Sequence, residues 1–156
     1  MPEKKKHVFL SYCHENQAEV SKLRDELLAG GEAVWFDQDI LGGQEWELET
    51  RKAMKEAYAI VLCLSAELTK RIHSGVYPEI RDAIAAYRLY APGSIYLLPV
   101  RLSDSELPAL KIDDTHTLDS LQHIDLFPVG KRGAGIEKLL AAIRKAPLHP
   151  QQARRN

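Results

Sequence analysis

The chain has 156 residues, 45% of them hydrophobic and 28% charged, and a formal net charge of −1. That length and balance predict one globular unit with a core of its own. A charge so near zero supplies no field to draw in nucleic acid or an anionic membrane surface. The charged N-terminus has no apolar signal-peptide core, and the longest apolar run, Ala57 to Leu64, is far short of the ~20 residues that cross a bilayer. These features predict a cytoplasmic location without direct nucleic-acid or membrane partners.

Strand and helix signals alternate along the chain. Residues 1–6 read as a basic tail, and His7 to Tyr12 is a β-rich run. Asn16 can cap a helix, with Glu19 placed for a capping box and Val20, Leu23, Leu27 and Leu28 on one apolar face. Gly30-Gly31 ends that helix. Ala33 to Phe36 reads as a second strand, followed by a loop around Gly42-Gly43. A helix over about Glu47 to Ala57 shows Thr50, Ala53, Met54 and Ala57 on one side. Tyr58 to Leu64 is apolar on both faces, as a central parallel strand requires.

Pro78 can open the next helix, because its missing N–H would be unpaired there anyway. Ile80, Ala83, Ile84 and Tyr87 form its inner face, and Pro92-Gly93 stops it. Ile95 to Val100 is a fourth strand, with Pro99 weakening its ladder locally. Ser103 to His116 is polar and irregular, with one short helix expected around Leu107 to Leu110. Leu121 to Phe127 is the fifth strand, and Gly135 to Ala146 the last helix, with Ile136, Leu139, Leu140 and Ile143 facing inward. Residues 7–146 therefore form the domain, and 147–156 read as a disordered tail.

Five β-α units predict an α/β, flavodoxin-like three-layer sandwich: a five-stranded parallel sheet of order 2-1-3-4-5 with helices on both faces. Its ligand crevice opens at the C-terminal ends of strands one and three. Ser11, Tyr12, Cys13 and His14 fall on one side of that crevice and Ser65 to Glu79 on the other, with the loop Asp37 to Trp46 able to fold over the top.

The segments at those positions resemble the Toll/interleukin-receptor (TIR) domain family, of the prokaryotic, NAD-cleaving type. FLSY (Phe9 to Tyr12) is similar to the family's opening strand, and FDQDILGGQEW (Phe36 to Trp46) to the loop after strand two. YAIVLCLSAEL (Tyr58 to Leu68) is similar to its central strand with a serine-containing exit. PEIRDAI (Pro78 to Ile84) lines up with the stretch that carries the catalytic glutamate, so the resemblance assigns that role to Glu79. Many active members place a tryptophan or cysteine three or four residues before that glutamate, where this chain has Gly75 and Val76. An aromatic wall would then come from Tyr77, Tyr12 or Trp46.

The resemblance implies an NAD glycohydrolase, with NAD+ as substrate and no separate cofactor. Nicotinamide departs from NAD+ as a neutral pyridine, so no acid need protonate it, whereas ordinary glycosidases employ two carboxylates. One ionised carboxylate can hold the ribose hydroxyls and stabilise charge growing on the sugar. A helix N-terminus favours that ionised form by about 0.3–1 kcal/mol. The product would be ADP-ribose or a cyclic isomer, in immune or cell-death signalling. The resemblance implies self-association through TIR–TIR contacts, and the loop Ile40, Leu41, Gly42 and Gly43 is apolar enough at Ile40-Leu41 to serve as one. A chain of this size has no room for a separate sensor, so an upstream or fused partner is expected.

Each remaining candidate has an ordinary alternative. Asp37 and Asp39 could position ligand, or serve as turn residues. Ser65 could reach a ribose or phosphate, or cap the element after it. Trp46 could stack on a base or pack the loop, and Arg101 could meet phosphates or stay on the surface. Cys13 and Cys63 read as buried thiols, and no His pair has metal-ligand spacing. GKRGAG (Gly130 to Gly135) has the wrong order for a phosphate loop and reads as a helix lead-in. Among other functions, a non-catalytic TIR adaptor stays open. A phospho-accepting receiver is excluded, because Leu64-Ser65 stands where it needs aspartate and Glu15 alone makes no magnesium site.

Overall fold

Aliphatic and β-branched runs form five strands in a computed structural model that describes residues 6–37, 45–75, 77–90 and 96–146. The strands are β1 (His7–Ser11), β2 (Val34–Trp35), β3 (Ala57–Leu64), β4 (Tyr96–Arg101) and β5 (Ile124–Asp125). All pair in parallel in the order β2-β1-β3-β4-β5, as the alternation predicts. Every residue of β3 is buried, because neighbouring strands and both helical layers cover it.

The helices are α1 (Gln17–Ala29), α2 (Trp46–Lys55), α3 (Ala66–Ser74), α4 (Pro78–Tyr90) and α5 (Arg132–Arg144). Side chains alternate across each strand and so split the core into two clusters. Val8, Leu10, Val61, Cys63 and Val100 pack with Val20, Leu23 and Leu27 of α1 and Leu139 and Ile143 of α5. Phe9, Ile60, Leu62 and Leu64 pack on the other face with Met54 of α2, Leu68 of α3 and Ile80 and Ala83 of α4.

Several local expectations change. Residues 66–74 form α3: the Ser65 hydroxyl accepts from Leu68 N, and Gly75 closes the helix at φ 83°. That left-handed turn favours glycine, which gives Gly75 a structural reason to be there. Leu107 to Leu110 is not helical. Leu118 N donates to Leu110 O at 2.7 Å and holds the segment extended, and the helical turn forms instead at Leu118–Ser120. Leu28 is 47% exposed, off the α1 inner face. Asn16 makes no side-chain cap of α1, and a 3-10 turn (His14–Asn16) precedes that helix.

The glycine-rich segment at 130–135 runs into α5, which begins at Arg132. A Cβ at Gly135 would lie 2.5 Å from the Asp125 carbonyl oxygen, so glycine permits α5 to approach β5. Lys6, although exposed, is tied to the domain: its backbone N–H donates to Glu56 O at 2.7 Å and its Nζ pairs with Glu56 Oε2 at 2.5 Å. The tail at 147–156, the stop at Pro92-Gly93, and Asp39, Ile40, Leu41, Gly42 and Gly43 lie outside the described residues.

Candidate functional site

The C-terminal end of β1 and the β2 edge meet α2 and the first turn of α4 around a cavity of about 240 Å³. From β1 and its exit come Phe9, Leu10, Ser11 and Tyr12. Trp35 and Asp37 close the β2 side. Thr50 and Met54 reach in from α2, and Pro78 and Asp82 from α4. The parallel topology produces this opening, because strand ends at the sheet's carboxyl edge diverge into loops that leave space between helices.

Aromatic rings give the cavity its inner wall. Trp35 stacks on Phe9 with centroids 4.9 Å apart and planes 8° from parallel. Tyr12 leans on Phe36 at 5.5 Å, and its hydroxyl donates to Asp37 Oδ1, tying the β1 exit to the β2 exit. Two of the lining side chains, Asp37 and Asp82, are acidic; among the described lining residues none is basic.

A wider groove of about 410 Å³ runs outward between α2 and α4 and shares Thr50, Met54 and Asp82 with the inner cavity. Glu47, Arg51, Ala85, Ala86 and Leu89 complete it, with Arg51 and Glu47 loosely paired at 3.8 Å.

Ser11, Tyr12 and Asp37 meet at one cavity, which opens between the β1 and β2 exits rather than between the ends of strands one and three as expected; Cys13, His14 and Ser65 are not among its lining residues. Glu79 is the second residue of α4, directly after the cavity-lining Pro78; its side chain and that of Trp46 lie outside the described set. Tyr77 is half-buried against the α4 side of the core, with the Arg81 guanidinium 4.9 Å over its ring. It is not among the cavity-lining residues.

Ser65 takes the plainer of its alternatives, and Arg101 takes neither, being mostly buried in an ion pair. Ser65 is buried, caps α3, and donates to Asn16 Oδ1 at 2.6 Å. Arg101 is bound by both Asp125 carboxylate oxygens, at 2.7 and 2.9 Å, and lies 5.0 Å from the centre of the Phe127 ring. The hydrogen bonds from Arg101 hold the Asp125 carboxyl below its ordinary range.

Sequence reasoning missed Trp35, Thr50, Met54 and Asp82 as lining residues. Two signals were available: alternation along Val34-Trp35-Phe36 sends Trp35 to the opposite face from its neighbours, and Asp82 sits one helical turn after Glu79.

Arg71 of α3 grips Glu15 through contacts of 2.5 and 3.0 Å, which lowers the Glu15 carboxyl to about 2. Burial pushes the Cys13 thiol up to about 11 and the Cys63 thiol up to about 12, so neither is a poised nucleophile. Among the described residues no cluster of His, Cys, Asp and Glu could hold a metal ion, and no helix is long and apolar enough to cross a membrane.

A family model described as TIR domain matches residues 8–140. The chain belongs to the TIR domain family. Its fold is similar to the TIR domain of the Toll-related receptor TRR-2 from Hydra magnipapillata, with a TM-score of 0.63 and 15% identity, covering 88% of this chain and 98% of that one. It is also similar to a metazoan TIR-STING receptor from C. gigas, solved in complex with 2′,3′-cGAMP, with a TM-score of 0.65 and 20% identity. That match covers 92% of this TIR domain and 40% of the receptor chain. A second structure of a C. gigas TIR-STING receptor matches with a TM-score of 0.57 and 19% identity, over 92% of this chain and 41% of that one. At these identities the likeness concerns the fold. No curated protein matches the sequence.

Proposed function

We propose that this TIR domain is an NAD+ glycohydrolase of the prokaryotic type its sequence resembles, with Glu79 as the catalytic carboxylate. One observation carries the reading. The cavity at the carboxyl edge of the sheet is walled by Pro78 and Asp82, on the helix whose second residue is Glu79. That position is in the first turn of α4, and a helix N-terminus favours negative charge.

The chemistry asks for little more. The bond between C1′ of the ribose and the ring nitrogen breaks, and its electron pair passes to the pyridinium, which leaves as neutral nicotinamide. Positive charge grows on the sugar, and Glu79 would stabilise it while holding the ribose hydroxyls. Attack by water at C1′, with loss of a proton, yields ADP-ribose; attack by an adenine nitrogen yields a cyclic isomer. The Phe9–Trp35 stack and Tyr12 supply the aromatic surface that Gly75 does not. Purified protein incubated with NAD+ is expected to release nicotinamide, and Glu79→Gln to reduce release at least a hundredfold, in line with the loss of an electrostatic stabiliser. Activity unchanged in Glu79→Gln would remove Glu79 from this role.

A second reading, a non-catalytic module acting through TIR–TIR contacts, is favoured by the exposed flank of α2 and α4. There Leu48 is 55% and Leu89 71% exposed. Assembly with no nicotinamide release would select this reading.

A further inference from the structure

We infer that the inner cavity selects for positive charge, accepting a cationic pyridinium ring in preference to its neutral form, and that Asp82 is the residue that reads that charge. The inference rests on the NAD+ reading for the identity of the ligand, although its test does not depend on turnover.

The lining carries two carboxylates, Asp37 and Asp82, and no basic side chain among its described residues. Arg81 and Arg51 do not line the inner cavity. The Arg81 guanidinium lies over the Tyr77 ring, with its Nη2 donating to Gly75 O at 3.2 Å, and Arg51 faces Glu47 in the outer groove. A pyrophosphate placed inside would meet only like charge, so the phosphates of a dinucleotide belong outside this cavity. A planar cation fits both wall types, since the face of stacked aromatic rings attracts positive charge and a carboxylate does so more strongly.

The two carboxylates differ in freedom. Asp37 Oδ1 accepts the Tyr12 hydroxyl, so part of its capacity goes to joining the strand exits. Asp82 stands at the mouth, on the wall shared by cavity and groove. It lies on the helix of Glu79, one turn further on. Charge on the ring disappears as the bond breaks. A carboxylate beside the ring therefore strengthens substrate binding more than it lowers the barrier.

The test compares binding of 1-methylnicotinamide, a cation, with that of nicotinamide, its neutral counterpart, to the full chain by NMR titration. The wild type is expected to bind the cation about fivefold more tightly, the size of a solvent-screened charge pair. Asp82→Asn should abolish the preference, and Asp82→Glu should retain most of it. In turnover, Asp82→Asn should raise KM for NAD+ about fivefold, with a smaller change in kcat. Equal binding of the two probes to wild type, no binding of either, or a preference that survives Asp82→Asn would overturn the inference. Charge preference without NAD+ cleavage would instead uphold it and remove the glycohydrolase reading.

Discussion

The Ser65 hydroxyl donates a 2.6 Å hydrogen bond to Asn16 Oδ1, joining two residues 49 positions apart at the carboxyl edge of the sheet. Both side chains are buried, and the same hydroxyl accepts from Leu68 N at 3.1 Å, so one oxygen both caps α3 and locks the β1 exit to the β3 exit. Ser65→Ala removes the cap and leaves the buried Asn16 oxygen without this donor. A loss of about 1–3 kcal/mol in unfolding free energy is expected. Urea denaturation checks this; full stability in the variant would contradict the structural role.

Acid should weaken the fold through specific carboxylates. Hydrogen bonds from Arg71 lower Glu15 from 4.5 to about 2, and those from Arg101 and Lys6 lower Asp125 and Glu56. A carboxylate whose folded value lies below its unfolded one contributes stability above the unfolded value. That contribution is lost as pH falls through the folded value. Thermal midpoints should therefore decline between about pH 4.5 and about pH 2, the interval that Glu15 spans. Glu15→Gln should give a lower midpoint at neutral pH and a flatter acid limb. Parallel curves for variant and wild type would show that the Arg71 pair adds nothing to stability.

Two glycines in α5 should respond oppositely to the same substitution. At Gly135 an added Cβ meets the Asp125 carbonyl oxygen at 2.5 Å and Leu126 Cδ2 at 2.9 Å. Backbone cannot yield cheaply there, so Gly135→Ala should cost about 1–3 kcal/mol. At Gly133 nothing lies within 4 Å, and Gly133→Ala should be neutral or stabilising by up to about 1 kcal/mol. Calorimetric midpoints of the two variants decide the matter, and a stabilising Gly135→Ala would contradict the close approach of α5 to β5.

Much of the fold was legible in the order of residues. The apolar run at 57–64 could only be a central strand, and the apolar spacings at 20, 23 and 27 and at 80, 83 and 84 name the inner faces of α1 and α4. Alternation of strands with helices sufficed for the sheet order, because short connections and parallel pairing leave few other arrangements. The cavity lies at the sheet's carboxyl edge, as that topology predicts, but it opens between the β1 and β2 exits and not between those of β1 and β3, because α2 and α4 pack over that side.

Other features depend on contacts between distant segments, which periodicity does not encode. Whether Ser65 faces ligand or Asn16 depends on where the β1 exit lies, and whether Arg101 meets solvent or Asp125 depends on the register of β4 with β5. Trp35 and Asp82 became cavity walls only when α2 and α4 packed over β1. Local sequence determines which side chain an element presents to each face; what that side chain meets is decided by the element packed opposite.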